Sequence, residues 1–238
     1  MKRFLLALAA LAACSPPAPR TVRVGAASSL RDLLTPGVAG FLVQEMPMSV
    51  SLSFDASSTL SRQVEAGGAL DVVLSADGAC IDRLGNKVVR STRRVFLTNR
   101  LALIGPEGTS GLESVPANAK ISIAGPEVPA GKAWRKYLGG TGRLAALEGR
   151  LATADSVRGA LALFDSKAVD YALVYATDAQ EARRAHAAWA PPDGPVTEYV
   201  AAVVAAHDTA WSRAFVEWLG SAGFQAEARK LGFGAPPK

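Results

Sequence analysis

Apolar and polar positions along the chain follow two periods in alternation. Residues 50–54 alternate as a half-buried strand does and stop just before Ser57-Ser58. From there Leu60, Val64 and Ala66 recur at helical spacing, so a strand is expected over 50–54 and a helix over 57–66. The same grammar comes earlier. A strand over 21–24 runs through Gly25-Ala26-Ala27 to Ser28-Ser29. A helix then follows to about residue 45, with Leu30, Leu33, Leu34, Val38, Phe41 and Leu42 on one side and Pro36-Gly37 interrupting its start. Residues 71–75 form a continuous apolar run typical of a buried parallel strand, and 77–84 a short helix. This β-α-β-α-β order predicts an α/β fold with a parallel sheet.

A second α/β unit begins near residue 101. Strands are expected over 101–105, 121–124, 171–175 and 199–206. Helices are expected over 130–138, 144–151, 157–164 (opened by Asp155-Ser156), from 178 to 188, and over 210–219 and 221–231. Pro- and Gly-rich loops fill 106–118 and 125–129. The last two helices have no strands of their own, so they are expected to return to the first unit. The domain reading is therefore two lobes joined by two crossovers, 21–97 with 205–238 forming the first and 98–204 the second. No internal repeat and no transmembrane stretch stands out.

The chemistry sits at the strand-to-helix junctions. Serine is a favoured N-cap, and a helix start with free N–H groups beside a small hydroxyl suits an anion. Composition changes this picture little. At 238 residues, with 49% hydrophobic and 20% charged residues, the chain is ordinary globular material. The formal charge of +5 is spread thinly, and Arg93-Arg94 and Arg183-Arg184 are no more than pairs, so it reads as solvated surface and not as a nucleic-acid footprint.

The N-terminus carries a targeting pattern. Met1-Lys2-Arg3 is a positive start, and residues 4–13 are an apolar run too short to span a bilayer, so 1–13 reads as a signal peptide. Leu11-Ala12-Ala13-Cys14 resembles the lipobox of bacterial lipoproteins, which implies lipidation at Cys14; the bland alternative is plain secretion with a buried cysteine. Residues 14–20, rich in proline, then read as a lipid-anchor tether. With Cys14 lipidated, Cys80 has no intramolecular partner, and two cysteines without CxxC spacing do not make a thiolate zinc site.

The ordered motifs carry a family resemblance. Ala26-Ala27-Ser28-Ser29-Leu30, the run from Phe54 to Gly67, and Asp71-Val72-Val73-Leu74-Ser75-Ala76-Asp77 come first. Gly125-Pro126-Glu127-Val128-Pro129-Ala130-Gly131, Asp155-Ser156-Val157-Arg158-Gly159-Ala160 and Val174-Tyr175-Ala176-Thr177-Asp178 follow. Together they resemble the periplasmic molybdate-binding proteins of bacterial ABC importers over roughly residues 22–233. The resemblance implies a two-lobed type II periplasmic-binding-protein-like fold, each lobe a mostly parallel sheet flanked by helices with the ligand cleft between. It implies an extracytoplasmic, monomeric receptor without a cofactor, holding molybdate or tungstate and delivering it to an ABC permease in the inner membrane. By motif position it implies the hydroxyls of Ser29, Ser57 and Tyr175 and the backbone N–H groups of Ala130 and Val157 as ligands, so that any metal contact is through the molybdate oxygens. Asp55 departs from the pattern, which has a small neutral residue there; a carboxylate facing the cleft would repel an anion.

The chemistry of those residues agrees. A deprotonated tetrahedral dianion has only acceptors, and a shell of hydroxyl and amide donors satisfies it. Taken singly, each residue has a plainer reading: a serine at a helix start is a cap, a tyrosine ending a buried strand is core, and Arg158 makes a structural ion pair, for which Asp155 is the near partner. Three other functions remain in view: a receptor for sulfate or another tetrahedral oxyanion, a serine hydrolase, and a ligand-free sensory or scaffold protein of the same fold. A hydrolase needs a base, and the chain has only His186, expected on a polar helix, and His207; a Gly-x-Ser-x-Gly elbow is absent.

Overall fold

The computed structural model describes residues 21–44 and 49–237. The expected signal peptide, Cys14 and the tether lie outside the described residues. In chain order the elements begin with β1 (Thr21–Ala27), α1 (Arg31–Gln44), β2 (Ser49–Asp55), α2 (Ser57–Glu65), β3 (Val72–Ser75) and α3 (Gly78–Asp82). β4 (Arg94–Gly105), β5 (Ile121–Ala124), α4 (Pro129–Gly140), α5 (Leu144–Glu148), β6 (Leu151–Ala154) and α6 (Val157–Asp165) follow. The chain ends with β7 (Tyr171–Tyr175), α7 (Ala176–Gln180), β8 (Ala187–Trp189), β9 (Val196–Val203), α8 (Ala210–Trp218) and α9 (Ala222–Lys230).

These strands make a curled mixed sheet in the order β2-β1-β3-β9-β4-β7-β5-β6, with β8 paired to β4. β1 lies parallel to β2 and β3, and β5 parallel to β6 and β7, which gives each lobe its expected parallel core. β9 and β4 run antiparallel between them. Residues 94–100 of β4 pair with β9 in the first lobe, and 101–104 pair with β7 in the second. The expected lobe boundary at 97/98 thus falls inside one continuous strand. Helices cover both faces: α2 on β1 and β3, α4 and α6 on β5 and β7, α8 on β9, and α9 on α1.

Local chemistry explains several ends. α2 stops at Glu65 because Gly67 adopts φ +79°, and the N–H groups of Gly67 and Gly68 turn back onto the carbonyls of Val64 and Gln63. Ala66 is therefore outside the helix and exposed, not an inward position. α1 runs through Pro36 without the expected interruption, and Pro36 is exposed. The expected helix over 178–188 ends at Gln180, because Ala187–Trp189 pairs with the end of β4. Leu151, expected to close a helix, opens β6 and aligns with Ile121.

Trp134 anchors the second lobe. It is fully buried from α4, and its Nε1–H donates to the carbonyl of Val174 at 3.0 Å. Such an indole contributes apolar burial without stranding its polar end. Here it also ties the middle of α4 to the end of β7, where Tyr175 stands.

Candidate functional site

The strand-to-helix junctions converge, though the serines do not act as expected. The N-cap positions belong to Ala27 and Ala56, neither with a side-chain capping bond, and the serines follow inside the first turn. Their hydroxyls are thereby released for other partners. Ser57 Oγ accepts the N–H of Ala76, just past β3, at 2.9 Å. Ser29 Oγ lies 2.7 Å from Tyr199 Oη. Both serines are buried. Having accepted a backbone N–H, the Ser57 hydroxyl keeps its own proton to donate.

The second lobe supplies backbone donors. Pro129 opens α4 at a position where its missing N–H costs nothing, and Ala130 follows. Val157 opens α6 behind Ser156, whose Oγ caps the helix by accepting the Gly159 N–H at 3.0 Å. First-turn N–H groups have no carbonyl within their own helix, so Ala130 and Val157 present amide donors at the positive end of a dipole. Gly131 makes this approach possible: a Cβ there would stand 2.1 Å from the Ala124 carbonyl oxygen and 2.2 Å from that of Gly125.

Ser29, Ser57, Ala130, Val157 and Tyr175, the residues expected from the motifs, line one narrow cavity between the lobes, about 10 Å³ in volume. Tyr175 Oη is buried there and has no hydrogen-bond partner among the described residues. Burial, and then the neighbouring Tyr199, hold its phenol well above the ordinary range, so it keeps its proton; Thr197 pulls the other way from outside hydrogen-bonding geometry. An unpartnered buried O–H costs about 1–3 kcal/mol, which an acceptor in the cavity would recover.

Asp55 also lines the cavity. Its Oδ1 accepts the N–H of Ala56 at 2.7 Å, so one donor at the start of α2 is taken by the protein itself.

Behind the cavity-lining layer is a set of charged groups, of which the sequence points only to Arg158, and to a different partner. Arg158 pairs with Asp32 of the first lobe and, through Nε at 2.7 Å, with Asp178 of its own lobe, instead of Asp155. Asp178 Oδ2 in turn accepts the Tyr175 N–H at 3.3 Å. Burial pushes the Asp178 carboxyl up to about 6, against the opposing pull of Arg158 and the Tyr175 N–H. Asp32 follows Ser29 by three residues, Arg158 follows Val157 directly, and Asp178 follows Tyr175 by three, so this charged clasp ties both lobes behind three of the junctions.

Tyr199 is the other buried group behind the cavity. Besides Ser29 it meets Asn99 Nδ2 at 3.2 Å, and that nitrogen also donates to Thr177 Oγ1 at 2.9 Å. Burial and then the charge of Asp178 hold the Tyr199 phenol well above its ordinary range. The one sequence signal for it is a hydroxyl-bearing ring at the head of the otherwise apolar run 199–206.

The two histidines, the candidate bases of a hydrolase, stand elsewhere. Neither histidine lines the cavity. His186 is not helical; its Nδ1 lies 2.9 Å from the Arg184 carbonyl oxygen, while His207 Nδ1 lies 3.9 Å from Asp71 Oδ1. Among the described residues no group of His, Cys, Asp and Glu is arranged to hold a metal ion, and no helix is long and apolar enough to cross a membrane. A larger apolar hollow between α1 and α9, near Leu33, Trp218 and Phe224, lies away from these donors.

Known proteins resemble this chain in sequence and fold. The model of the family described as bacterial extracellular solute-binding protein matches residues 22–234. A molybdate-binding protein, ModA, from Haemophilus influenzae is 34% identical over 216 residues, 84% of each chain. ModA from Escherichia coli is 31% identical over 213 residues, 83% of this chain and 82% of its own. In fold, the periplasmic molybdate-binding protein of Azotobacter vinelandii superposes with a TM-score of 0.82 at 22% identity, over 91% of this chain and all of that one.

Proposed function

The chain belongs to the family of bacterial extracellular solute-binding proteins, and from that premise we propose that it captures molybdate between its lobes and delivers it to an ABC-type importer. The observation that carries this reading is the Tyr175 hydroxyl: buried, protonated and unpartnered, it lines one cavity with the two serines and two helix starts. Every one of these groups donates, and a tetrahedral dianion only accepts. The names of the relatives, both molybdate-binding proteins, support the same anion.

Ser29 and Ser57 hold the oxyanion from the first lobe, and Ala130 N–H, Val157 N–H and Tyr175 Oη from the second. Charge-assisted bonds of this kind contribute about 1.5–3 kcal/mol each. Five of them, offset by desolvation and closure, support affinity near or below micromolar, about −8 kcal/mol or better. Tungstate, almost the same size, binds as well. The protein works as a monomer in the periplasm, cleaved after residue 13 and tethered through a lipid on Cys14, and no catalytic step is part of its cycle.

Calorimetry of the purified protein against molybdate, tungstate, sulfate and phosphate tests this. Sub-micromolar binding of the first two with far weaker sulfate and phosphate is the expected result. Tight sulfate binding without molybdate binding would make it a receptor for the smaller anion instead.

A further inference from the structure

The Ser29 hydroxyl can in principle donate or accept, and which it does decides what kind of anion the first lobe tolerates. Its environment settles the direction. Asn99 Oδ1 accepts the N–H of Arg100 at 2.9 Å, and because a backbone N–H only donates, that bond fixes which end of the amide is which. Nδ2 therefore faces Tyr199 Oη and Thr177 Oγ1, and donates to both. Tyr199 Oη is thus an acceptor toward Asn99. Its remaining proton points at Ser29 Oγ, its other hydrogen-bond partner, 2.7 Å away. Ser29 Oγ, having accepted from Tyr199, has its own proton left for the cavity it lines.

We propose that Tyr199, oriented by Asn99, is a positioning and specificity-determining residue that holds the Ser29 hydroxyl as a donor, so that the cleft favours a fully deprotonated oxyanion over one that carries a proton. The inference rests on the reading of the cavity as the oxyanion site. Tyr199 does not line the cavity, so its hydroxyl reaches the anion through Ser29, and its ring contact with Tyr175 is one that phenylalanine keeps. Asn99 and Tyr199 stand on β4 and β9, the strands that cross between the lobes, and Asn99, Thr177, Tyr199 and Ser29 are all buried, so water does not compete for these bonds.

The test uses molybdate and inorganic phosphate in mildly alkaline buffer, where both are dianions and only phosphate carries a proton. Tyr199→Phe removes the donor to Ser29 and lets that hydroxyl accept. The ratio of molybdate to phosphate affinity should then shrink by about tenfold or more, mostly through weaker molybdate binding. In a Ser29→Ala background the same Tyr199→Phe change should alter molybdate affinity by less than about twofold, because nothing remains to be oriented. Asn99→Asp is the reversing variant. It keeps the acceptor for Arg100 N–H but turns the other end into an acceptor, so Tyr199 donates to residue 99 and Ser29 to Tyr199. The affinity ratio should shrink again, although the shape of the side chain is kept.

An unchanged ratio in both Tyr199→Phe and Asn99→Asp overturns the relay, as does an equal loss in Tyr199→Phe with and without Ser29. Should Tyr199→Phe fail to fold, Asn99→Asp decides alone. A wild-type protein that binds neither anion overturns the reading of the cavity and the relay with it, whereas a wild type that binds molybdate leaves the relay to stand or fall by itself.

Discussion

The two sides of the cleft present donors of different kinds. The first lobe offers the hydroxyls of Ser29 and Ser57, which rotate and can reverse their role; the second offers the backbone N–H groups of Ala130 and Val157, which can do neither, with Tyr175 beside them. Hydroxyls must therefore be oriented by other groups, and each has one: Tyr199 for Ser29 and the Ala76 N–H for Ser57. Backbone donors need only a helix delivered to the right place, which is what Gly131 and Trp134 accomplish. On the proposed reading, the rigid side would set where the anion sits, and the orientable side which protonation state it favours.

The rigid side is broken by adding a side chain, not by removing one. Gly131→Ala places a methyl group 2.1 Å from the Ala124 carbonyl oxygen, so the first turn of α4 must move off β5 and take the Ala130 N–H with it. This is the largest effect expected: a loss of affinity of about a hundredfold or more, with stability falling by about 3 kcal/mol, read by calorimetry and denaturant melts. Near-native binding in this variant would show that the Ala130 N–H is not a ligand.

Next in size is the pH response of the clasp behind Tyr175. The carboxyl of Asp178 is pushed from 3.8 to about 6 by burial, so folding takes up a proton between those values. A raised carboxyl contributes stability that is complete below about pH 4 and is lost as pH rises through about 6. Relative to Asp178→Asn, which does not titrate, the wild type should lose up to about 3 kcal/mol between pH 4 and pH 7. Parallel stability curves for the two proteins would mean that Arg158 holds Asp178 ionised throughout.

Ser57→Ala and Tyr175→Phe separate the two sides at single hydroxyls. Each removes one bond to a charged ligand, about 1.5–3 kcal/mol or roughly ten- to a hundredfold in affinity. Their effects on the ligand-free protein should differ. Ser57→Ala strands the buried Ala76 N–H and costs about 1–3 kcal/mol of stability. Tyr175→Phe removes an unpartnered hydroxyl and should leave stability unchanged or raised by up to about 1 kcal/mol. Thermal melts without ligand distinguish the pair, and equal losses in both would mean that Tyr175 Oη has a structural partner.

The same contrast explains what could be read along the chain. The cavity-lining junctions are legible because each is local: a strand ends and a helix starts within a few residues, and small or hydroxyl-bearing side chains mark the turn. The motif order then assembled them. The supporting layer was not legible because its contacts are long-range. Asn99 meets Tyr199 across 100 residues, and Arg158 reaches back to Asp32, with no local period to announce either. The crossing strand was also read too short. β4 opens with Arg94 and carries Thr98, Asn99 and Arg100 between its apolar stretches, and those polar positions disguise one strand as a loop followed by a strand. The alanine-rich stretch after Asp178 has helical composition, yet pairing with β4 claims its end as a strand.

The smallest expected effect concerns Asp55, the one group in the cavity lining that opposes an anion. Its Oδ1 is bound to the Ala56 N–H, and an asparagine in its place keeps an oxygen for that bond while removing the charge. Asp55→Asn should therefore tighten molybdate binding by about three- to tenfold, on the order of 1 kcal/mol for a partly screened charge, with little change in stability. The gain should shrink as salt is added, because Asp55 is only partly buried and its field is screened. Unchanged affinity at low salt would mean that the Ala56 N–H and solvent already absorb this charge. A gain would mean that the orientable lobe also moderates affinity, which for a receptor that must hand its ligand on favours release over retention.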